Sequence, residues 1–136
     1  MPVYPTDLQQ RARADWFEEY GGTVLAESAA GIFFHRFMRP RVLKQPVDEQ
    51  AVDKIINKNL PPLLDYLESQ VPAEDYLFGD LTVADLALAS PFVNAGYAQY
   101  TIDAAKWPKL SALVERVKAH SAMAPLLEAE AAAFGG

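Results

Sequence analysis

Groupings of side chains that would predict catalysis or metal binding are scarce in this 136-residue chain, although it contains 18 acidic residues and two histidines. The two histidines, His35 and His120, lie far apart, and neither belongs to a spacing typical of a metal site. Asp15, Glu18 and Glu19 could form a carboxylate pair for general acid–base catalysis, but acids grouped on one helix are more typical of a solvated face. We therefore predict no catalytic residue and no metal site in the chain.

Asp85 has the most informative surroundings of the acidic residues. A half-buried carboxylate can mark a functional site, but the stretch Leu81-Thr82-Val83-Ala84-Asp85-Leu86 predicts a structural role. Thr82 is placed to be the N-cap of a helix, and the Asp85 carboxylate can reach back to the Thr82 amide, which completes a capping box. Leu81 and Leu86 stand at the positions of a hydrophobic staple, which fixes the angle at which the chain enters the helix.

The helix that starts at Thr82 is predicted to be the buried centre of the fold. Its apolar residues leave no wide polar face, which is unlike a helix on a protein surface. These residues are Val83, Ala84, Leu86, Ala87, Leu88, Ala89, Phe92, Val93, Ala95, Tyr97 and Ala98.

A long helical pattern precedes this centre. Thr6 is the expected N-cap of the first helix. Gly21-Gly22 either kinks or breaks that helix, and the sequence leaves both alternatives open. Pro40 is expected to end the element. The first half of the helix carries apolar residues at every fourth position, which we call the four-residue stripe: Leu8, Ala12, Trp16 and Tyr20.

Further helices are predicted from caps and apolar spacing. Asp48 can cap the second helix, in which Pro61-Pro62 should cause a marked bend near Asn59 or a split into two shorter helices. Pro108 suits the first position of a helix, and Ser121 is the expected cap of the last one. With no convincing strand, the pattern predicts an all-α bundle of five to seven helices.

The composition predicts one domain over residues 1–136, with 51% hydrophobic and 22% charged residues. The net charge of −6 argues against a nucleic acid or a membrane as partner. A local basic cluster of Arg36, Arg39, Arg41 and Lys44 is interpreted as a solvated helix end. The chain has no cysteine and no apolar run long enough to span a membrane, and we expect a cytoplasmic location.

The stretch from Tyr76 to Ala87, Tyr-Leu-Phe-Gly-Asp-Leu-Thr-Val-Ala-Asp-Leu-Ala, resembles the signature of the C-terminal helical domain of cytosolic glutathione transferases. Tyr4-Pro5-Thr6-Asp7 resembles the end of the linker from the thioredoxin-like domain of that family. Arg11-Ala12-Arg13-Ala14-Asp15-Trp16 resembles the start of the first helix that follows. Trp107-Pro108-Lys109-Leu110 with Arg116-Val117 resembles a helix near the end, although many members have tryptophan at the position of Leu113 or Val114 here.

This resemblance implies a function that the chain shares with a second domain. In the family, the thioredoxin-like domain holds glutathione and supplies the Tyr, Ser or Cys that stabilises its thiolate, so glutathione is expected as co-substrate only with that domain present. The chain itself would contribute the pocket for a second substrate, a small apolar electrophile, and the surface of a homodimer. The residues implied near this pocket are Arg13, Trp16, Tyr20 and Phe33.

Two alternatives remain open at the level of sequence. The chain is either the substrate-binding half of a glutathione transferase-like enzyme, inactive by itself, or a non-catalytic helical module for protein assembly. A third interpretation, binding of a small apolar ligand without catalysis, shares features with both. The chain is also either a domain excised from a longer polypeptide or a stand-alone relative, and a methionine placed at the domain border favours the excised domain.

Overall fold

Five helices and no strand make up the computed structural model, which describes residues 7–134. Helix α1 covers residues 8–41, α2 covers residues 49–70, α3 is Val83–Tyr97, α4 is Pro108–Ala119 and α5 is Ala124–Phe134. The predicted all-α architecture is confirmed. None of the described helices is both long and apolar enough to cross a membrane.

Helix α1 begins one residue later than the sequence predicted. Its N-cap is Asp7, whose Oδ1 accepts a hydrogen bond from the Gln10 amide at 3.0 Å. The expected cap, Thr6, lies outside the described residues. An aspartate is at least as good an N-cap as a threonine, and its negative charge suits the positive end of the helix dipole.

Helix α1 neither breaks at Gly21-Gly22 nor ends at Pro40. Two π-helical turns, Gly21–Leu25 and Phe34–Met38, join its α-helical segments into one run. In the second turn the Arg39 amide donates to the Phe34 carbonyl five residues earlier. Such a wider turn relieves the crowding that a proline ring causes against the preceding turn. The prediction that Pro40 ends the helix was therefore wrong, and the helix continues to Arg41.

Helix α2 also contains a π-helical turn next to its two prolines, and it continues past them. Asp48 caps it as expected, with Oδ1 3.1 Å from the Ala51 amide. A π-helical turn, Ile55–Asn59, lies directly before the α-helical segment Leu60–Gln70, in which Pro61 and Pro62 fall in the first turn. The prolines thus distort α2 at the predicted place, but they do not split it.

Helix α3 is the centre of the bundle, as the sequence predicts, and it packs against both α1 and α4. The two backbones of α3 and α1 lie very close at Gly21, where a Cβ atom would overlap the carbonyl of Ala87. This carbonyl also lacks its usual helical donor, because the residue four positions later is Pro91, which has no amide hydrogen. The buried residues of α3 are Ala84, Asp85, Leu88, Ala89, Pro91, Phe92 and Ala95.

The start of α4 is held by two acids of α2. The Glu68 carboxylate accepts from the amides of Lys109 and Leu110 at 3.0 and 2.9 Å. Next to it, the indole of Trp107 donates to Asp65 Oδ1 at 2.7 Å. Pro108 occupies the first helical position as predicted, so the amides that still need acceptors are satisfied by a distant side chain.

The prediction that Ser121 caps the last helix was wrong. Helix α5 begins at Ala124, and a short turn precedes it in which His120 Nδ1 accepts from the Ala122 amide at 3.0 Å. The histidine ring closes the turn, and the His120 carbonyl accepts from the first amide of α5, that of Ala124, at 2.9 Å. Helix α5 rests mainly on α4, and its Leu126 is 63% exposed.

Candidate functional site

Three residues of the four-residue stripe, Leu8, Ala12 and Trp16, are exposed, and only Tyr20 packs partly against the core. Leu8 is 84% exposed and Trp16 is 51% exposed. The buried positions of the first segment of α1, Leu8–Tyr20, are instead Ala14 and Phe17, on the opposite side of the helix. Helix α1 is thus apolar on two faces, one packed in the bundle and the other largely exposed.

An aromatic cluster forms where the stripe meets α2. We define it as Trp16, Tyr20 and Tyr66. The indole N–H of Trp16 donates to the Tyr66 hydroxyl at 2.9 Å, and the ring centroids of Tyr20 and Tyr66 are 5.3 Å apart. The rings of Trp16 and Tyr20 are tilted and 5.9 Å apart. These are the offset geometries that aromatic pairs favour.

The aromatic cluster is suited to ligand binding and not to catalysis, because it has aromatic faces and hydroxyl groups but no charged group or activated nucleophile. Partial burial raises the pKa of Tyr20, and the neighbouring Tyr66 raises it further. The phenol of Tyr20 is therefore neutral near pH 7. Neutral phenols can donate hydrogen bonds to a ligand, and the exposed rings can stack on a flat apolar molecule.

Arg13 and Phe33, the other two residues implied for the substrate pocket, lie outside the aromatic cluster. The Arg13 guanidinium sits 5.6 Å from the ring centroid of Phe17, which belongs to the buried side of α1. Phe33 stacks on Phe37 with centroids 4.9 Å apart. Thirteen residues separate Tyr20 from Phe33 along α1, which corresponds to roughly 20 Å. The structure brings two of the four residues together.

Asp85 is fully buried and takes part in two contacts that fix the start of α3. Its Oδ2 accepts from the Thr82 amide at 2.8 Å and from the Thr82 hydroxyl at 3.2 Å, and both halves of the capping box are present. Its Oδ1 accepts from the Leu77 amide at 2.8 Å, a contact that the sequence did not reveal. Leu81 is buried, and Leu86 packs against the core.

Burial raises the pKa of Asp85, and the hydrogen bonds from Leu77 and Thr82 only partly offset this effect. A carboxyl group with a raised pKa can act as a general acid or base when it reaches a substrate. Asp85 cannot, since it is 0% exposed and its oxygens already accept the donors around it. Its role is structural.

The histidines lie apart in the structure as they do in the sequence. His120 holds the turn before α5, and its ring meets Tyr76 edge-on at 5.9 Å. The Nδ1 atom of His35 is buried without a hydrogen-bond partner among the described residues. Within residues 7–134, no group of three or more metal-ligating side chains is placed to hold a metal ion.

Tyr66 is the member of the site that sequence reasoning missed. It lies 50 positions after Trp16. In the sequence of α2 it stands between Leu64 and Leu67, which are buried, and nothing else distinguishes it. A tyrosine that is 37% exposed on an otherwise ordinary helix has no local signature. Only the packing of α2 beside α1 shows that it completes the aromatic cluster.

Comparisons with known proteins point to one family. The family model for the glutathione S-transferase C-terminal domain matches residues 33–130, which is more than two thirds of the chain. No curated protein and no solved structure matched the chain in the same comparisons.

Proposed function

Because the chain belongs to the glutathione S-transferase C-terminal domain family, we propose that it forms the second-substrate pocket and the dimer surface of a glutathione transferase-like protein. The full-length protein would join glutathione to an electrophile, with the glutathione held by a thioredoxin-like domain. In that arrangement the present chain contributes no catalytic residue. It positions the electrophile.

The observation that carries this proposal is the aromatic cluster. Trp16 and Tyr66 are 51% and 37% exposed, yet a hydrogen bond of 2.9 Å fixes their relative orientation. Ligand sites favour apolar and aromatic walls with a few polar groups that orient the ligand. An ordered group of three aromatic rings, with Trp16 and Tyr66 exposed and Tyr20 partly buried, meets this description for a small aryl electrophile.

The two indole N–H groups provide a direct test by NMR. Trp16 donates to Tyr66 in the cluster, whereas Trp107 is 7% exposed and donates to Asp65. Titration with chlorodinitrobenzene should shift the Trp16 indole signal saturably and leave that of Trp107 in place. Trp16→Ala should abolish binding.

Phe34→Ala is the matched control, because Phe34 is another exposed aromatic residue of α1, 43% exposed, outside the cluster. It should bind the ligand as the wild type does. Equal shifts of both indole signals, or a loss of binding in the Phe34 variant that matches the Trp16 variant, would contradict the proposal.

The alternative function, a non-catalytic assembly module, is favoured by the exposed stripe of α1. Leu8 and Trp16 expose apolar surface of the kind that protein partners cover.

The dimer proposal predicts that Leu8→Glu shifts the sedimentation coefficient of the chain from dimer to monomer. Leu126→Glu on α5 is the control and should leave the dimer intact. A wild-type chain that is monomeric, but captures a different protein through the stripe, would favour the assembly module.

A further inference from the structure

The end of α1 concentrates positive charge in an acidic protein. The chain has a net charge of −6, yet residues 28–47 contain four cations and no acid. The structure shows that these cations are not equivalent. Arg39 donates to the Pro46 carbonyl at 3.1 Å and holds the loop before α2. Arg36 and Arg41 instead line a cavity.

This cavity lies where three helix ends meet, and its volume is about 440 Å³. The end of α1 provides Arg36 and Arg41, and the region before and at the start of α2 provides Val47 and Glu49. The end of α3 provides Tyr97 and Ala98. A volume of this size falls in the range of small-molecule sites. Its walls combine two guanidinium groups with apolar surface.

Arg41 is held in place but has unused donors. Its guanidinium carbon lies 4.1 Å from the ring centroid of Phe37, a close cation–π contact. Among residues 7–134 it makes no hydrogen bond and no ion pair. Stacking on a ring fixes the plane of a guanidinium and leaves its edge, with the N–H donors, free to bind a planar or tetrahedral anion.

The π-helical turn of α1 explains why Arg36 and Arg41 line the same cavity. In a regular α-helix, residues five apart project in different directions. The turn Phe34–Met38 has hydrogen bonds between residues five apart, such as Arg39 to Phe34, and this wider winding brings such positions toward one side. The irregular backbone therefore groups the two cations.

Arg36 already has weak anionic and polar partners. Its guanidinium is 3.6 Å from the Glu49 carboxylate and donates to the Ala98 carbonyl at 3.4 Å. The Glu49 side chain is 60% exposed, and an ion pair this open contributes little. An incoming anion can replace Glu49 at little cost. Tyr97, whose hydroxyl interacts with Glu130 on α5, also lines the cavity.

We propose that this cavity binds a small organic anion, with a phosphate or carboxylate group on Arg41 and Arg36 and an apolar body against Val47, Tyr97 and Ala98. The site is separate from the aromatic cluster, since even their nearest members on α1, Tyr20 and Arg36, are 16 residues apart, roughly 24 Å along the helix. It does not depend on the function proposed above.

The test is an NMR titration of the whole chain with phenyl phosphate, benzoate and, as a neutral control, phenol. The side-chain N–H signals of Arg41 and Arg36 and the methyl signals of Val47 should shift saturably with either anion and not with phenol. Comparison of the two anions shows which head group is preferred. Inorganic phosphate should bind more weakly than phenyl phosphate, because it lacks the apolar body.

Three variants and a control distinguish specific binding in the cavity from non-specific electrostatic attraction of anions. Arg41→Gln should weaken binding at least about tenfold, and Arg41→Lys should weaken it by a smaller factor because lysine lacks the planar fork. Glu49→Gln should strengthen binding about threefold or more, since it removes the competing carboxylate. Lys58→Gln removes an exposed charge elsewhere on α2 and should change binding less than about twofold.

The proposal fails if neither anion gives saturable shifts at Arg41 in a chain whose melting curve shows that it is folded. It also fails if Arg41→Gln and Lys58→Gln weaken binding equally, since that result reports net charge alone. Phenol that binds as well as phenyl phosphate would likewise overturn it, because the site would then be only apolar.

Discussion

At the scale of single residues, Asp85 connects two segments of backbone. Its two oxygens accept from the Leu77 amide in the preceding loop and from the Thr82 amide at the helix start. A buried amide without a partner is costly. The carboxylate therefore fixes both the beginning of α3 and the path of the loop that leads to it.

Replacing Thr82 by alanine should lower the free energy of unfolding by about 0.5–2 kcal/mol, as the loss of an N-cap does. Asp85→Ala should cost about 1–3 kcal/mol or more, because it also leaves the buried Leu77 amide without an acceptor. Denaturant unfolding of the two single variants and the double variant measures these losses. The double variant should lose less than the two losses added together, since both changes remove the same box. Negligible and additive losses would contradict the reciprocal cap.

The raised pKa of Asp85 makes the stability of the fold depend on pH. Its folded-state pKa lies above the ordinary value of 3.8, so in the window between the two the folded protein binds more protons than the unfolded one. The stabilising contribution of Asp85 to the free energy of unfolding is thus fully present below pH 3.8, and it is lost as the pH rises through the folded-state pKa. We expect the stability of the wild type relative to Asp85→Asn to decrease across this window, as measured by denaturant unfolding at a series of pH values. A relative stability that increases with pH would mean that the hydrogen bonds outweigh burial.

At the scale of helices, the π-helical turns allow two long helices to contain residues that usually end one. One turn lies directly before the segment with Pro40, and another lies directly before the segment with Pro61. The third, Gly21–Leu25, lies at the crossing of α1 and α3. At each of these places the helix widens locally at or next to the proline or glycine residues and then continues.

The crossing at Gly21 can be tested against its neighbour. A Cβ atom at Gly21 would overlap the Ala87 carbonyl, whereas a Cβ atom at Gly22 would meet nothing within 4 Å. Gly21→Ala should therefore destabilise the fold by about 1–3 kcal/mol, as overpacking does. Gly22→Ala should stabilise it by up to about 1 kcal/mol, because alanine favours the helix. Thermal melts of both variants decide the matter, and equal effects would mean that α1 and α3 do not approach each other here.

The signals that predicted helices correctly were local ones. Thr82 and Asp85 are three residues apart, and Asp48 lies three residues before the amide that it caps. The buried face of α1 could not be predicted in the same way, because α1 is apolar on two sides. Spacing identifies an apolar stripe but not the partner that covers it. Tyr66 and Glu68 act on residues more than forty positions away, which no local pattern reveals.

At the scale of the whole molecule, the two candidate binding regions lie toward opposite ends of α1. The aromatic cluster is uncharged, and the cavity at the end of α1 contains two arginines. An apolar electrophile and an organic anion would thus be separated by about half the length of one helix. The core between them consists of α3 and the residues packed against it.

The purified chain should show no turnover of glutathione with chlorodinitrobenzene above the uncatalysed rate. The resemblance assigns the group that activates glutathione to a thioredoxin-like domain, and the described residues of the present chain place no nucleophile or exposed acid–base pair at the aromatic cluster. A complete glutathione transferase in the same assay is the positive control. Turnover by the chain that disappears in Trp16→Ala would contradict the prediction and place catalysis in this domain.

The contrast between the starts of α3 and α4 has a consequence for the order of folding. The cap of α3 lies within its own first turn, so this helix can nucleate from local contacts. The cap of α4 is Glu68, 41 and 42 positions before the amides that it accepts. A contact of such sequence separation requires the closure of a long loop before it contributes. The first turn of α4 should therefore form late, after α2 has docked, although Pro108 already presets its backbone.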